Sequence, residues 1–123
     1  MEFPFGQALK VEFFRPLVKL RLALSKDGYA VETYALPADA LKRIDEKEFD
    51  VVVTDIRMDE VNGMEVLERA LGRSGKTKVI MITGFARVEL ARYAMENGAF
   101  DFIEKPFTPD DLRAAVGKAV GVY

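Results

Sequence analysis

The sequence predicts an α/β fold in which a parallel sheet lies between two layers of helices, a three-layer α/β/α sandwich. Helical and strand patterns alternate from residue 16 onward, and strands that are connected through helices pair in parallel by right-handed crossovers. The runs VVVTD and VIMIT show no polar alternation, which is typical of strands buried on both faces.

The predicted helices are recognised by apolar residues at helical spacing and by start and stop signals. They cover residues 16–27, 37–48, 62–71, 86–97 and 108–120. We expect Gly28 and Gly98 to end the first and fourth helices, and Gly72 and Gly75 to end the third. The last helix should begin at Thr108 as its N-cap, with Pro109 at the first helical position.

The predicted strands are short and rich in β-branched and aromatic residues. They cover residues 29–34, 49–55, 78–83 and 99–105. No linker, repeat or low-complexity segment interrupts the pattern, so we expect residues 1–123 to form a single domain.

Composition excludes several classes of function. Half of the residues are hydrophobic, and 18 basic residues against 20 acidic ones give a net charge of −2, without the basic surface of a nucleic-acid-binding protein. Cysteine and histidine are both absent, so thiol chemistry, a Ser-His triad and nitrogen or sulfur metal ligands are excluded. No run is apolar enough for a membrane span and no secretory signal is visible. We therefore expect a cytoplasmic protein that does not bind a membrane.

Polar residues end three of the predicted strands: Asp55, Thr83 and Lys105. A carboxylate at the end of a buried strand costs free energy unless it is paired or used. Ligands of open parallel sheets bind outside the carboxyl ends of the strands. If these strands are neighbours, the three residues should converge at one edge of the sheet.

A carboxylate, a hydroxyl and an ammonium group together suit phosphoryl chemistry. Asp55 could act as a nucleophile that forms an acyl phosphate, while Thr83 and Lys105 contact phosphoryl oxygens. Mg²⁺ could bind Asp55 and a backbone carbonyl such as that of Arg57, with a further acid from another strand. Alternatively, Asp55 caps the following loop, Thr83 is an ordinary strand-end hydroxyl and Lys105 is a solvated charge.

Three motifs give the sequence a family resemblance. VVVTDIRM with the following VNG, VIMITGF, and GAFDFIEKPFTPDDL stand at characteristic separations, and GYAVETY precedes them. Over about residues 16–120 the chain resembles the receiver domains of two-component response regulators. GAFDFIEKPFTPDDL is particularly close to receivers of sigma-54 activators and hybrid sensor kinases.

The resemblance implies a doubly wound five-stranded sheet in the order 2-1-3-4-5 and a signalling domain rather than an enzyme. Asp55 would be the phosphoacceptor, loaded from a phosphohistidine on a sensor histidine kinase or phosphotransfer protein. Thr83 would move toward the phosphoryl group, Lys105 would pair with it, and Phe102 would be an aromatic switch. The surface of about residues 86–120 would report the change. Phe102 could instead be an ordinary core aromatic.

The first strand departs from the family. Residues 1–14 read as an atypical first strand or an extension, and residues 15–123 carry the clear match. The acidic pair that completes the family's magnesium site falls on Val11 and Glu12, so Glu12 is the remaining candidate ligand and Mg²⁺ binding is expected to be weak. Asp59, where Pro is usual, and Glu60 add acids to the loop after Asp55. They could partly replace the absent pair, but we favour the interpretation that they form a solvated turn.

Two functions follow. The first is a Mg²⁺-dependent phosphoacceptor receiver, and the alternative is a degenerate receiver that acts as a phosphorylation-independent interaction module. Flavin binding is disfavoured because no phosphate-binding loop follows the first strand. An output domain is not visible within these residues, and a homodimer could form through the 86–120 surface or by exchange of the first strand.

Overall fold

Strands and helices alternate along the chain, as the sequence predicts. The computed structural model describes residues 7–11, 17–34, 37–55, 63–84 and 88–121. The strands are β1 (Gln7–Val11), β2 (Ala30–Tyr34), β3 (Val51–Asp55), β4 (Lys78–Thr83) and β5 (Asp101–Glu104). The helices are α1 (Leu17–Lys26), α2 (Pro37–Glu46), α3 (Gly63–Arg73), α4 (Val88–Glu96) and α5 (Pro109–Val120).

The five strands form one sheet in the order β2-β1-β3-β4-β5, and every neighbouring pair is parallel. This confirms the doubly wound topology implied by the resemblance. β1 lies at an interior position, with Val11 in register with Tyr34 of β2 and with Thr54 of β3. The strand is therefore paired on both sides although it contains the polar residues Gln7 and Lys10.

The hydrophobic core has two halves, one on each face of the sheet. One half includes residues of α2, α3 and α4, and the other includes residues of α1 and α5. Val52 and Met81 contribute to the first half, whereas Val53 and Ile82 contribute to the second. Alternate residues of β3 and β4 thus point into opposite halves, which is why both strands are apolar without a break.

Glycines end two helices as predicted but not a third. Gly28 and Gly98 follow α1 and α4 with φ values of 92° and 102°, a conformation that favours glycine. The prediction that α3 ends at Gly72 is wrong, because the helix continues to Arg73, and Gly75, the other predicted stop signal, lies two residues beyond that end. A single glycine inside a helix costs only about 1 kcal/mol relative to alanine, which the surrounding packing can offset.

Side-chain hydrogen bonds fix the start of α5. The Thr108 hydroxyl accepts from the Asp111 amide at 3.2 Å, and the Asp111 carboxylate accepts from the Thr108 amide at 2.8 Å. The capping box confirms Thr108 as the N-cap. Arg113 then donates to both oxygens of Asp27, at 2.9 and 2.7 Å. These hydrogen bonds lower the pKa of the Asp27 carboxyl and join α5 to the end of α1.

The edge strand β2 is joined to α2 by a half-buried ion pair. Arg43 donates to both oxygens of Glu32, at 2.8 and 3.1 Å, and the Tyr34 hydroxyl donates to the same carboxylate at 2.8 Å. Hydrogen bonding from Arg43 is the main cause that lowers the pKa of Glu32. The guanidinium also lies 5.9 Å from the centroid of the Phe49 ring, so one cation connects the strand, the helix and a core aromatic residue.

Replacing Gly98 should destabilise the protein. A Cβ at this position would lie 2.8 Å from Leu71 Cδ1, and the backbone has a positive φ. We expect Gly98→Ala to lower the free energy of unfolding by about 1–2 kcal/mol, measured by urea denaturation. Gly72→Ala is the matched control, because no described atom lies within 4 Å of its Cβ position, and it should stabilise α3 by about 0.5–1 kcal/mol. Equal effects of both substitutions would contradict this interpretation.

The contribution of Glu32 to stability should depend on pH. Because folding lowers its pKa, the stabilisation is present above the carboxyl's unfolded pKa and is lost as the pH falls through the folded pKa. Glu32→Gln should therefore be less stable than the parent at pH 7, and the difference should shrink below about pH 4. Urea unfolding at both pH values measures this difference. It should be much smaller in an Arg43→Gln background, and an undiminished difference at low pH would contradict the ion-pair explanation.

Candidate functional site

Three adjacent strands bring the predicted site residues to one edge of the sheet. Asp55 is in register with Ile82, the residue before Thr83, and Thr83 is in register with Glu104, the residue before Lys105. Parallel strands lie about 4.8 Å apart, so the backbones of the three residues are neighbours. We call Asp55, Thr83 and Lys105 the strand-end site. The sequence predicted this convergence, while the chemical roles of the residues remain predictions.

Backbone pairing continues beyond the last residue of β5. The Lys105 amide donates to the Thr83 carbonyl at 2.8 Å, which holds the two backbones side by side. The Lys105 side chain is half-buried. The peptide bond to Pro106 is cis, and proline has no amide hydrogen with which the pairing could continue.

Thr83 is enclosed by the protein, with 1% of its surface exposed. Its hydroxyl donates to the carbonyl of the next residue, Gly84, at 3.2 Å. That distance is long for a hydroxyl donor, for which about 2.7 Å is usual. This bond to Gly84 is therefore weak.

Gly84 follows Thr83, and the described residues leave space beside it. No described atom lies within 4 Å of the position that a Cβ would take, and its backbone φ is not positive. Neither backbone conformation nor contact with the described residues requires a glycine here. A side chain at position 84 would thus enter space that the described residues leave free.

Phe102 lies on the same face of the sheet as Thr83. It is in register with Met81, two residues before Thr83, and side chains two residues apart on a strand share a face. The side chain is 39% exposed, so the alternative of an ordinary core aromatic is wrong. β5 is an edge strand with one strand neighbour, which explains why an aromatic residue in the sheet reaches solvent.

Sequence reasoning did not single out Asp101, which holds the backbone of Phe102. The Phe102 amide donates to Asp101 Oδ1 at 2.8 Å. An aspartate before an aromatic residue is a weak signal, because only the strand order shows that β5 lies at the edge of the sheet. The carboxylate provides an acceptor for an amide in that exposed strand.

The other predicted ligands lie outside the described residues. This applies to Glu12, to Arg57 with its backbone carbonyl, and to the loop acids Asp59 and Glu60. β1 ends at Val11, whose register partner Thr54 directly precedes Asp55. The side chain of valine contains no oxygen atom that could bind a metal ion.

The described residues do not make up a set of ligands for Mg²⁺, the metal that the fold family implies. No group of three or more potential ligand side chains occurs within the described parts of the chain. Mg²⁺ requires near-octahedral oxygen coordination, usually with one or two carboxylates. At the carboxyl ends of β1, β3 and β4, the described residues supply one carboxylate residue, Asp55.

The fold and the site first define a class: a doubly wound α/β protein with polar residues at the ends of three neighbouring strands. Comparison with known proteins then specifies the family. A family-wide sequence model described as "Response regulator receiver domain" matches residues 15–117. The match covers well over half of the chain, and the chain belongs to this family. It is a receiver domain of the two-component response regulators.

Individual relatives agree with this assignment. The alginate biosynthesis transcriptional regulatory protein AlgB of Pseudomonas aeruginosa is 33% identical over 102 residues, which are 83% of this chain and 23% of that protein. The transcriptional regulatory protein FixJ of Bradyrhizobium diazoefficiens is 34% identical over 101 residues, which are 82% of this chain and 49% of that protein. The chain thus spans about a quarter to a half of the length of these relatives.

Solved structures show the same fold. A response regulator receiver domain protein from Clostridium thermocellum superposes with a TM-score of 0.86 at 29% identity, and the alignment covers 95% of each chain. Of the helices in the described part of this chain, none is long and apolar enough to cross a membrane.

Proposed function

We propose that this domain accepts a phosphoryl group on Asp55 from a phosphohistidine of a sensor histidine kinase or phosphotransfer protein, and that it signals the change through a protein surface. The observation that best supports this proposal is the register that aligns the ends of β3, β4 and β5. A nucleophile, a hydroxyl donor and a cation thereby share one edge, as phosphoryl transfer requires. We take residues 1–123 to act as a single receiver domain.

In the proposed transfer, a carboxylate oxygen of Asp55 attacks the phosphorus of the phosphohistidine. The new P–O bond forms as the P–N bond breaks, and the imidazole leaves with the electron pair of that bond. The Lys105 ammonium would neutralise charge on the phosphoryl oxygens as a point charge. Positioning and neutralisation suffice for this chemistry, so the absence of histidine from the domain is no obstacle.

Thr83 and Phe102 would convert the modification into a change of shape. The Thr83 hydroxyl, now in a long bond to Gly84, would donate to a phosphoryl oxygen instead. Its movement would make room for Phe102, the outward-facing residue on the same sheet face, to turn inward. This describes two packings whose populations shift because the phosphoryl group binds one of them better.

The surface of about residues 86–120 would report the switch, because it contains α4, β5 and α5. We propose that its partner is an output domain or a second copy of the receiver, without direct contact to nucleic acid. The cytoplasm is the proposed location, where a histidine kinase would present its phosphohistidine. Relatives such as AlgB and FixJ are named as transcriptional regulators, which makes transcription a reasonable output.

Receiver domains typically bind Mg²⁺ at an acidic pocket. For this chain we propose weak binding, with Asp55, the Arg57 carbonyl and Glu12 as the ligands. The divalent cation, when bound, would offset the negative charges of the carboxylate and the phosphoryl group. Glu12→Gln should then weaken the affinity further.

A second candidate is the degenerate receiver that works by surface contacts alone. One observation favours it: the described residues contain no group of three potential metal ligands. Asp55, Thr83 and Lys105 would then be relics, and phosphorylation would not occur. The first candidate is preferred because all three residue types are retained at one edge.

Asp55→Asn should reduce phosphate incorporation to background, since an amide cannot form the acyl phosphate. The measurement uses a labelled histidine kinase or a small-molecule phosphodonor with excess Mg²⁺. Asp50→Asn is the matched control, because Asp50 immediately precedes the same strand at its other end, and it should incorporate phosphate like the parent. Incorporation that survives Asp55→Asn would refute the site, and a parent without any incorporation would favour the degenerate module.

Thr83→Val should separate phosphorylation from switching. Valine keeps the approximate shape but removes the hydroxyl, so the variant should still bind beryllofluoride, a mimic of the acyl phosphate, without moving Phe102. NMR of the Phe102 ring on addition of beryllofluoride and Mg²⁺ measures this movement. Thr83→Ser retains the hydroxyl and should give a shift close to that of the parent. An equal ring shift in the valine variant would remove Thr83 from the switch.

A further inference from the structure

We propose that Glu104 limits how tightly the strand-end site holds a phosphoryl group, because this acid lies beside Thr83 on the same face of the sheet. The inference rests on the proposed function, since it concerns an anion bound at that edge. It goes further by assigning part of the strength of binding to a residue outside the strand-end site, and by predicting a gain when the charge of that residue is removed.

The first step is the position of Glu104. It is the last residue of β5 and is in register with Thr83, the last residue of β4. Residues in register on neighbouring strands point to the same face of a sheet, with backbones about 4.8 Å apart. Glu104 therefore flanks Thr83 on the side away from β3. Asp101, the other charged residue of β5, is three positions earlier and points to the opposite face.

The second step is the contrast in burial between the two neighbours. Glu104 is exposed, whereas Thr83 has 1% of its surface exposed. β5 is an edge strand, so water solvates the carboxylate, which therefore costs the unmodified protein little free energy. An anion that binds the enclosed hydroxyl of Thr83 would have an exposed acid as its neighbour on the next strand.

The third step is the distance over which the two anions would act. The proposed switch brings a phosphoryl oxygen to about 2.7 Å from the Thr83 hydroxyl. Together with the spacing of the strands, this places the anion within about 10 Å of the Glu104 carboxylate. The Debye length at 0.1 M salt is also about 10 Å, so the repulsion is only partly screened. The phosphoryl group should therefore bind less tightly than it would beside a neutral residue.

The test is a beryllofluoride titration of the full 123-residue chain, followed by NMR amide shifts. The Mg²⁺ concentration is raised until the dissociation constant of beryllofluoride no longer changes, so that the effect on the anion is measured separately from any effect on the cation. Glu104→Gln should bind beryllofluoride about threefold to tenfold more tightly than the parent at about 0.1 M ionic strength. The gain should largely disappear at about 1 M salt, where the Debye length falls to about 3 Å.

Glu96→Gln is the matched control, because it makes the same change of charge at another exposed position. Glu96 ends α4, from where the chain turns back to the start of β5, at the end of the sheet opposite the strand-end site. This variant should bind beryllofluoride like the parent. Glu104→Asp keeps the charge and should remain closer to the parent than Glu104→Gln does. Urea denaturation checks that each variant is folded, and Glu104→Thr, which suits a strand, repeats the test if the glutamine variant unfolds.

Equal beryllofluoride affinity of the parent and a folded Glu104→Gln at about 0.1 M ionic strength would overturn the proposal. An equal gain in Glu96→Gln, a gain that is undiminished at high salt, or binding by neither protein would overturn it as well. Binding by Glu104→Gln alone supports it. Failure of the proposed function is visible separately, as phosphate incorporation that survives Asp55→Asn in the parent background.

Discussion

The parallel hydrogen-bond register of the sheet is the constraint on which the rest of the structure depends. Every neighbouring pair of strands is parallel, so all carboxyl ends face the same side. Side chains alternate along a strand, and a slip of one residue would turn Val52 and Val53 to the opposite faces of the sheet. β3 and β4 resist such a slip because their alternate residues are buried in two different halves of the core.

A few specific polar contacts fix the helices in addition to apolar packing. Arg113 joins α5 to the end of α1, and Arg43 joins α2 to the edge strand β2. The opposite edge is different, because Phe102 of β5 is substantially exposed. A side chain with little burial can change its packing at low cost, so this edge is the natural place for a conformational response to events at the strand-end site.

Much of the site followed from the sequence by one rule: polar residues at the carboxyl ends of neighbouring parallel strands meet. Asp55, Thr83 and Lys105 were found in this way, and Thr108 was found from its capping pattern. Gly72 was misjudged because local propensity is weaker than helix packing. The exposure of Phe102 and the role of Asp101 depend on β5 being an edge strand, which no local pattern of residues reveals.

The sequence by itself determined the order and type of the elements, because the spacing of apolar residues reflects the burial of each segment on its own. It also determined the available chemistry, since a chain without histidine or cysteine offers oxygen ligands for a metal. Which strands are neighbours does not follow from the pattern of any one segment: the family resemblance implied the strand order, and the tertiary structure confirms it. Pairing joins residues that are far apart in the chain, such as Val11 with Thr54 and Thr83 with Glu104. Periodicity within one segment carries no information about its partner, and so the end of β1 came to lie beside Asp55 for reasons that no single stretch of sequence contains.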